Sequence, residues 1–78
     1  MLIGTALYKS LLLKYEYQIA DAQARLKIYF DNPVAIGEHP QHTEEIDKLL
    51  GTLSSAEGKK STLEKHFKEE YEKINGIN

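Results

Sequence analysis

Two histidines, His39 and His42, flank Pro40 and Gln41, with Glu38 alongside and Asp31 upstream. Two imidazoles and a carboxylate can hold zinc at a surface corner. A zinc site ordinarily draws three or more ligands at disciplined spacing, and this run offers two imidazoles. The simpler assignment has His39 capping a helix and His42 exposed on its first turn, so no metal is expected. His66 and Glu70 form another i,i+4 pair, but a diiron bundle needs inward Glu-x-x-His repeats and the chain has none. No nucleophile motif or phosphate-cradling glycine loop occurs, and a two-helix chain has little room for a pocket unless subunits build one between them. The reading is non-enzymatic, with no cofactor.

The tyrosines are the other chemically capable group. Tyr8, Tyr15 and Tyr29 share one helical stripe, Tyr17 lies beside it, and Tyr71 falls late in the second half. Tyr8, Tyr15 and Tyr71 gather at the end that also holds Lys9, Lys14, Lys60 and Lys68. Such a mixture can stack on a nucleobase or hold an anionic ligand. Tyrosines at helical spacing more often pack in a core with their hydroxyls at its rim. Tyr8, Lys14, Tyr15, Lys60 and Tyr71 are therefore an alternative ligand site, for a small nucleotide at subunit junctions.

These residues need long helices to position them. Tyr8, Leu12, Tyr15, Ile19, Ala22, Leu26 and Tyr29 step by alternating fours and threes, an a/d stripe in a segment free of proline. Leu11, Leu13, Ala20 and Ala24 widen the apolar face, which calls for more than one neighbour. The periodicity predicts a first helix over about 2–31, roughly 43 Å long at ~1.5 Å per residue. Pro33 ends it, since the residue before a proline is pushed out of the α region. Val34, Ala35 and Ile36 are expected to cover the end of the core, within a corner over 32–39.

A second helix is expected over about 40–75, with Pro40 at its first position or Thr43 as N-cap. Its stripe is Ile46, Leu49, Leu53, Ala56, Lys60, Leu63, Phe67, Glu70 and Ile74, in which Lys60 and Glu70 do not suit a core. Gly51, Ser54, Ser55, Gly58 and Ser61 weaken its centre. Either the helix runs on, which is the expectation, or it kinks near Gly58 and restarts at Ser61-Thr62-Leu63-Glu64, which has capping-box spacing. Asn75-Gly76 is read as its C-cap.

Composition narrows the classes. Seventy-eight residues make one small domain, and a core that size is marginal without help. Cysteine is absent, which excludes disulfides and thiolate zinc. Self-association remains. The net charge is −2, but residues 31–47 alone carry −5, from Asp31, Glu38, Glu44, Glu45 and Asp47. That pole is a poor surface for nucleic-acid phosphate, so a single-stranded nucleic-acid binder is the weakest reading. The apolar start, Met1 to Tyr8, lacks a charged segment before it and meets Lys9 and Lys14 before it could span a bilayer. A soluble, cytoplasmic protein is expected, with no membrane partner.

From Tyr29 through Gly37-Glu38-His39-Pro40, and on through Glu44-Glu45-Ile46-Asp47-Lys48-Leu49-Leu50, the chain resembles a group of short helical-hairpin accessory proteins of tailed bacteriophages. The resemblance covers the middle third. It implies a phage origin, the cytoplasm of an infected bacterium, and an accessory or host-interaction role, and it transfers no catalytic residue. The plan is also similar to small phage proteins that assemble and sequester immune nucleotides, by architecture alone.

The sequence therefore predicts an all-α, antiparallel helical hairpin that assembles into a bundle, as a dimer or higher oligomer. The expected oligomer interface is Leu12, Tyr15, Ile19, Leu26, Leu49, Leu53, Leu63 and Phe67. The expected function is binding or inhibition of a host protein through the corner residues Glu38, His39, Gln41, His42 and Glu45.

Overall fold

The computed structural model describes residues 3–32 and 42–72. They form two helices, α1 (Ile3–Asp31) and α2 (His42–Tyr71), packed along each other as an all-α hairpin. Gly4 meets Tyr71, Glu16 meets Lys60 and Tyr29 meets His42, so the helices are antiparallel.

Helix α1 ends where its hydrogen-bonding chemistry does. The Asn32 N–H donates to the Ile28 carbonyl at 3.0 Å. Pro33 follows and has no N–H to continue the ladder. On the outer surface Arg25 pairs with Asp21 at 2.9 Å and Lys27 with Asp31 at 2.7 Å. Both are i,i+4 pairs of the kind that support a helix by a few tenths of a kcal/mol, ~0.2–0.5 each.

Helix α2 carries Glu44 and Glu45 in its first turn and Lys68 in its last, each matched to the helix dipole. It runs unbroken past Gly51 and Gly58, so no second helix starts at Ser61 and the capping-box spacing there goes unused. The corner residues Pro33 to Gln41, and the expected C-cap at Asn75-Gly76, lie outside the described residues. So do Glu38, His39 and Gln41. His42, expected to be exposed, is half-buried with its ring edge-on to Tyr29 at 5.8 Å.

The heptad stripe of α1 is the face turned to α2. Thr5, Tyr8, Ala22 and Leu26 are buried, and Leu12, Tyr15, Ile19 and Tyr29 are half-buried. On α2, Ile46, Leu49, Leu53, Lys60 and Leu63 are half-buried around a buried Ala56. Beyond Leu63 the inward face moves. Phe67 and Glu70 are exposed, while Glu64 and Tyr71 turn inward. A straight helix drifts ~20° per heptad against a strict seven-residue repeat, enough to exchange Glu70 for Tyr71 at the end of the stripe. The expected mismatch of a core glutamate is thereby removed. The other, Lys60, is met by Glu16 at 3.5 Å.

The antiparallel register sets Ala22 level with Leu53 and Ala56 level with Ile19, a small residue against a large one on each side. Ala22 and Ala56 are each 1% exposed, so the helices approach closely there. Little else is enclosed. The molecule is a rod of 51 × 18 × 17 Å with a radius of gyration of 16.7 Å, against about 11.5 Å for a compact domain of this length. Its accessible surface is 5819 Å², roughly 1,000 Å² more than a compact monomer of its mass exposes.

Candidate interaction surface

The open end of the hairpin is built around Tyr8. Its side chain is 3% exposed and its hydroxyl donates to Glu72 Oε2 at 3.1 Å. Burial, with the Glu72 hydrogen bond and the charges of Glu72, Glu64 and Glu16, pushes its pKa up to about 12. The ring of Tyr71 stacks on that of Tyr8 at 6.2 Å and 23°. Tyr71 fits there because Gly4 has no side chain: a Cβ on Gly4 would lie 2.6 Å from Tyr71 Cε1. Phe67 continues the cluster, 6.3 Å from Tyr71 and 6.2 Å from His66.

This arrangement does not bring the tyrosines and lysines together as one anion site. The hydroxyl and face of Tyr8 are both engaged within the hairpin. Lys60 is paired with Glu16, Lys14 is exposed on the flank, and Tyr15 is half-buried on the seam between the helices. Three carboxylates stand near Tyr8, which disfavours a second anion. The grooves near these residues are open to solvent. One of about 480 Å³ passes Tyr15, Ser55, Gly58, Leu63 and Phe67. Another of about 200 Å³ lies between Leu7 and Leu11 of α1 and Leu63 and Phe67 of α2.

At the corner end, Glu45 is half-buried with Lys48 at 3.8 Å, and His42 packs on Tyr29. Among the described residues no group of three or more His, Cys, Asp or Glu side chains is gathered as a metal site. No described helix is long and apolar enough to cross a membrane.

The expected interface residues Leu12, Tyr15, Ile19, Leu26, Leu49, Leu53 and Leu63 make up the seam between α1 and α2 of one chain. Leu26 is enclosed there and the others are partly so. Phe67 stands out to solvent. Among the described residues the large apolar groups most available to another molecule lie elsewhere: Ile3 is 77% exposed, Tyr17 66%, Leu13 and Phe30 65% each, and Leu7 60%. Ile28 and Leu50 are exposed too.

Part of this surface has its own heptad order. Ile3, Ala6, Ser10, Leu13, Tyr17, Ala20 and Ala24 step by alternating threes and fours, and all seven are exposed. Each lies two residues before a member of the inward stripe, Leu13 before Tyr15 and Tyr17 before Ile19. At about 100° per residue, the second stripe is therefore ~160° round α1 from the first. Leu13, Ala20 and Ala24 thus do not broaden the buried face, as the sequence suggests at first reading. They make a separate one. The signal is present in the sequence as a second series with the same alternating step.

Set against known protein families, curated proteins and solved structures, the chain matches none.

Proposed function

We propose that this protein is a non-enzymatic interaction protein that works as a homo-oligomer and binds a further protein. The carrying observation is the outward face of α1, where Ile3, Leu13 and Tyr17 are each about two-thirds exposed or more in a chain with five buried residues among those described. Monomeric proteins seldom leave an ordered apolar face uncovered, and such a face ordinarily marks a contact surface. A rod of two helices also falls short of the burial that stabilises a compact domain. A second copy would supply it.

A host protein as the further partner rests on the phage resemblance and on the acidic corner. The nucleotide-sequestering alternative is not carried forward, because Tyr8 is stacked on Tyr71 and bonded to Glu72, and Lys60 is paired with Glu16, all inside the hairpin. Light scattering tests the proposal. It predicts a mass that is a multiple of 8.9 kDa, and a monodisperse monomer contradicts it.

A further inference from the structure

We infer that the outer stripe of α1 is a seam for a second copy of the chain, paired antiparallel about a two-fold axis near Leu13. The inference rests on the self-association reading and adds which face, which direction and which register.

The argument starts from side-chain size. When the stripe Ile3, Ala6, Ser10, Leu13, Tyr17, Ala20, Ala24 is laid antiparallel on itself with Leu13 at the centre, its layers fall into register. Ile3 of one copy comes level with Ala24 of the other, Ala6 with Ala20, and Ser10 with Tyr17. Ile3 and Tyr17 meet small residues, Ala6 and Ala20 meet each other, and Leu13 meets its own copy at the axis. Interdigitation of large against small is what close packing of two helices requires. A parallel pairing would set Tyr17 against Tyr17 and Ile3 against Ile3, with no bulky residue facing a small one.

Charge agrees on one rim. A two-fold axis normal to the pair sets each rim of the stripe against itself. Lys9 and Glu16, both exposed, share a rim, so Lys9 of each copy lies beside Glu16 of the other, twice in the dimer, with each Glu16 also 3.5 Å from Lys60 of its own chain. On the other rim Lys14 lies near its own copy at the axis, where its long stem lets the ammonium turn out to water.

Area agrees as well. The chain exposes 5819 Å², roughly 1,000 Å² beyond a compact monomer. A standard interface takes about 800 Å² from each partner. Because the two stripes of α1 are nearly opposite, the dimer would be a layer of four helices. The two copies of α1 lie side by side at its centre and the two copies of α2 outside, in place of a closed bundle.

The native chain has no cysteine, so single-cysteine variants report pairing directly. Under mild oxidation Leu13→Cys should form a disulfide dimer. Ala24→Cys alone should stay largely unlinked, and should link when mixed with Ile3→Cys. Leu13→Lys should weaken self-association at least tenfold while circular dichroism keeps the helical signal. Failure of Leu13→Cys to link, in a preparation whose wild type has oligomeric mass, would overturn this seam and leave the self-association reading standing. Efficient self-linking of Ala24→Cys would overturn the antiparallel direction. A wild-type monomer would remove both and give the face to a different protein.

Discussion

Gly4 and Tyr71 fit together as socket and ring: the nearest carbon of Tyr71 lies 2.6 Å from where a Cβ on Gly4 would stand. The same ring is stacked on Tyr8, so it cannot retreat without opening the aromatic cluster. At Gly58 no atom comes within 4 Å of that position. Alanine is favoured over glycine in a helix by ~1 kcal/mol, so one substitution should have two signs. Gly58→Ala should raise the melting temperature, by the equivalent of about 0.5–1 kcal/mol. Gly4→Ala should lower stability by about 1–2 kcal/mol, in the range of overpacked sites. Adding Tyr71→Ala to Gly4→Ala should cost less than Tyr71→Ala costs alone in the wild type. Equal effects at both glycines would mean that Tyr71 does not occupy the socket.

Tyr8 should make the fold sensitive to alkali. Its pKa is pushed up to about 12 in the folded chain, against ~10 when unfolded. Below pH 10 the phenol is protonated in both states and its stabilising effect is fully present. As pH rises from 10 through 12 the unfolded chain ionises first, and stability falls by up to about 2–3 kcal/mol. Tyr8→Phe should lose about 1 kcal/mol at neutral pH, from the hydrogen bond to Glu72, and should flatten this decline. Denaturant titrations from neutral to alkaline pH measure both effects. A decline of unchanged depth in Tyr8→Phe would assign the sensitivity to another group.

The contrast between stripe and socket shows what could be read in advance. The alternating steps from Tyr8 to Tyr29 name the buried face of α1 because helical period and burial are both local. The hairpin itself follows from two such stripes and a proline between them. The end of α2 did not follow, since extending a strict seven-residue repeat to Glu70 ignores the drift that brings Tyr71 inward. Nor did the Tyr8–Glu72 bond, which joins residues far apart in sequence and depends on where two rods stop. The outer stripe is legible as a second alternating series, but hydrophobicity alone lets Leu13, Ala20 and Ala24 pass for a widening of the first face; their two-residue offset and their exposure set them apart. The corner candidates Glu38, His39 and Gln41 lie outside the described residues.

The hydroxyl of Thr5 is buried, with the residue 1% exposed and Oγ1 without a hydrogen-bond partner among the described residues. An unmet buried hydroxyl costs about 1–3 kcal/mol. Thr5→Val keeps the branched shape and removes the polar atom, so it should stabilise the hairpin by about 1 kcal/mol. Chemical denaturation at constant slope measures it. A loss of stability would show that the hydroxyl is satisfied in solution.

Ala56 should tolerate no growth. It is 1% exposed on the face turned to α1, at the level of Ile19. Ala56→Leu should destabilise by about 1–3 kcal/mol by forcing α1 and α2 apart. The same change at the neighbouring Ser55, which is exposed, should be within ~0.5 kcal/mol of neutral. Thermal unfolding of the pair separates a close helix contact from a general loss of solubility.

The central claim is that the outward face of α1 is covered by another copy. Sedimentation equilibrium across roughly 1 to 100 µM, a range that resolves micromolar dissociation constants, tests it most directly. The account predicts a reversible dimer, twice 8.9 kDa, for the wild type. It predicts a folded monomer for Leu13→Lys. A wild type that stays at 8.9 kDa throughout, as helical and as stable as before, would contradict it.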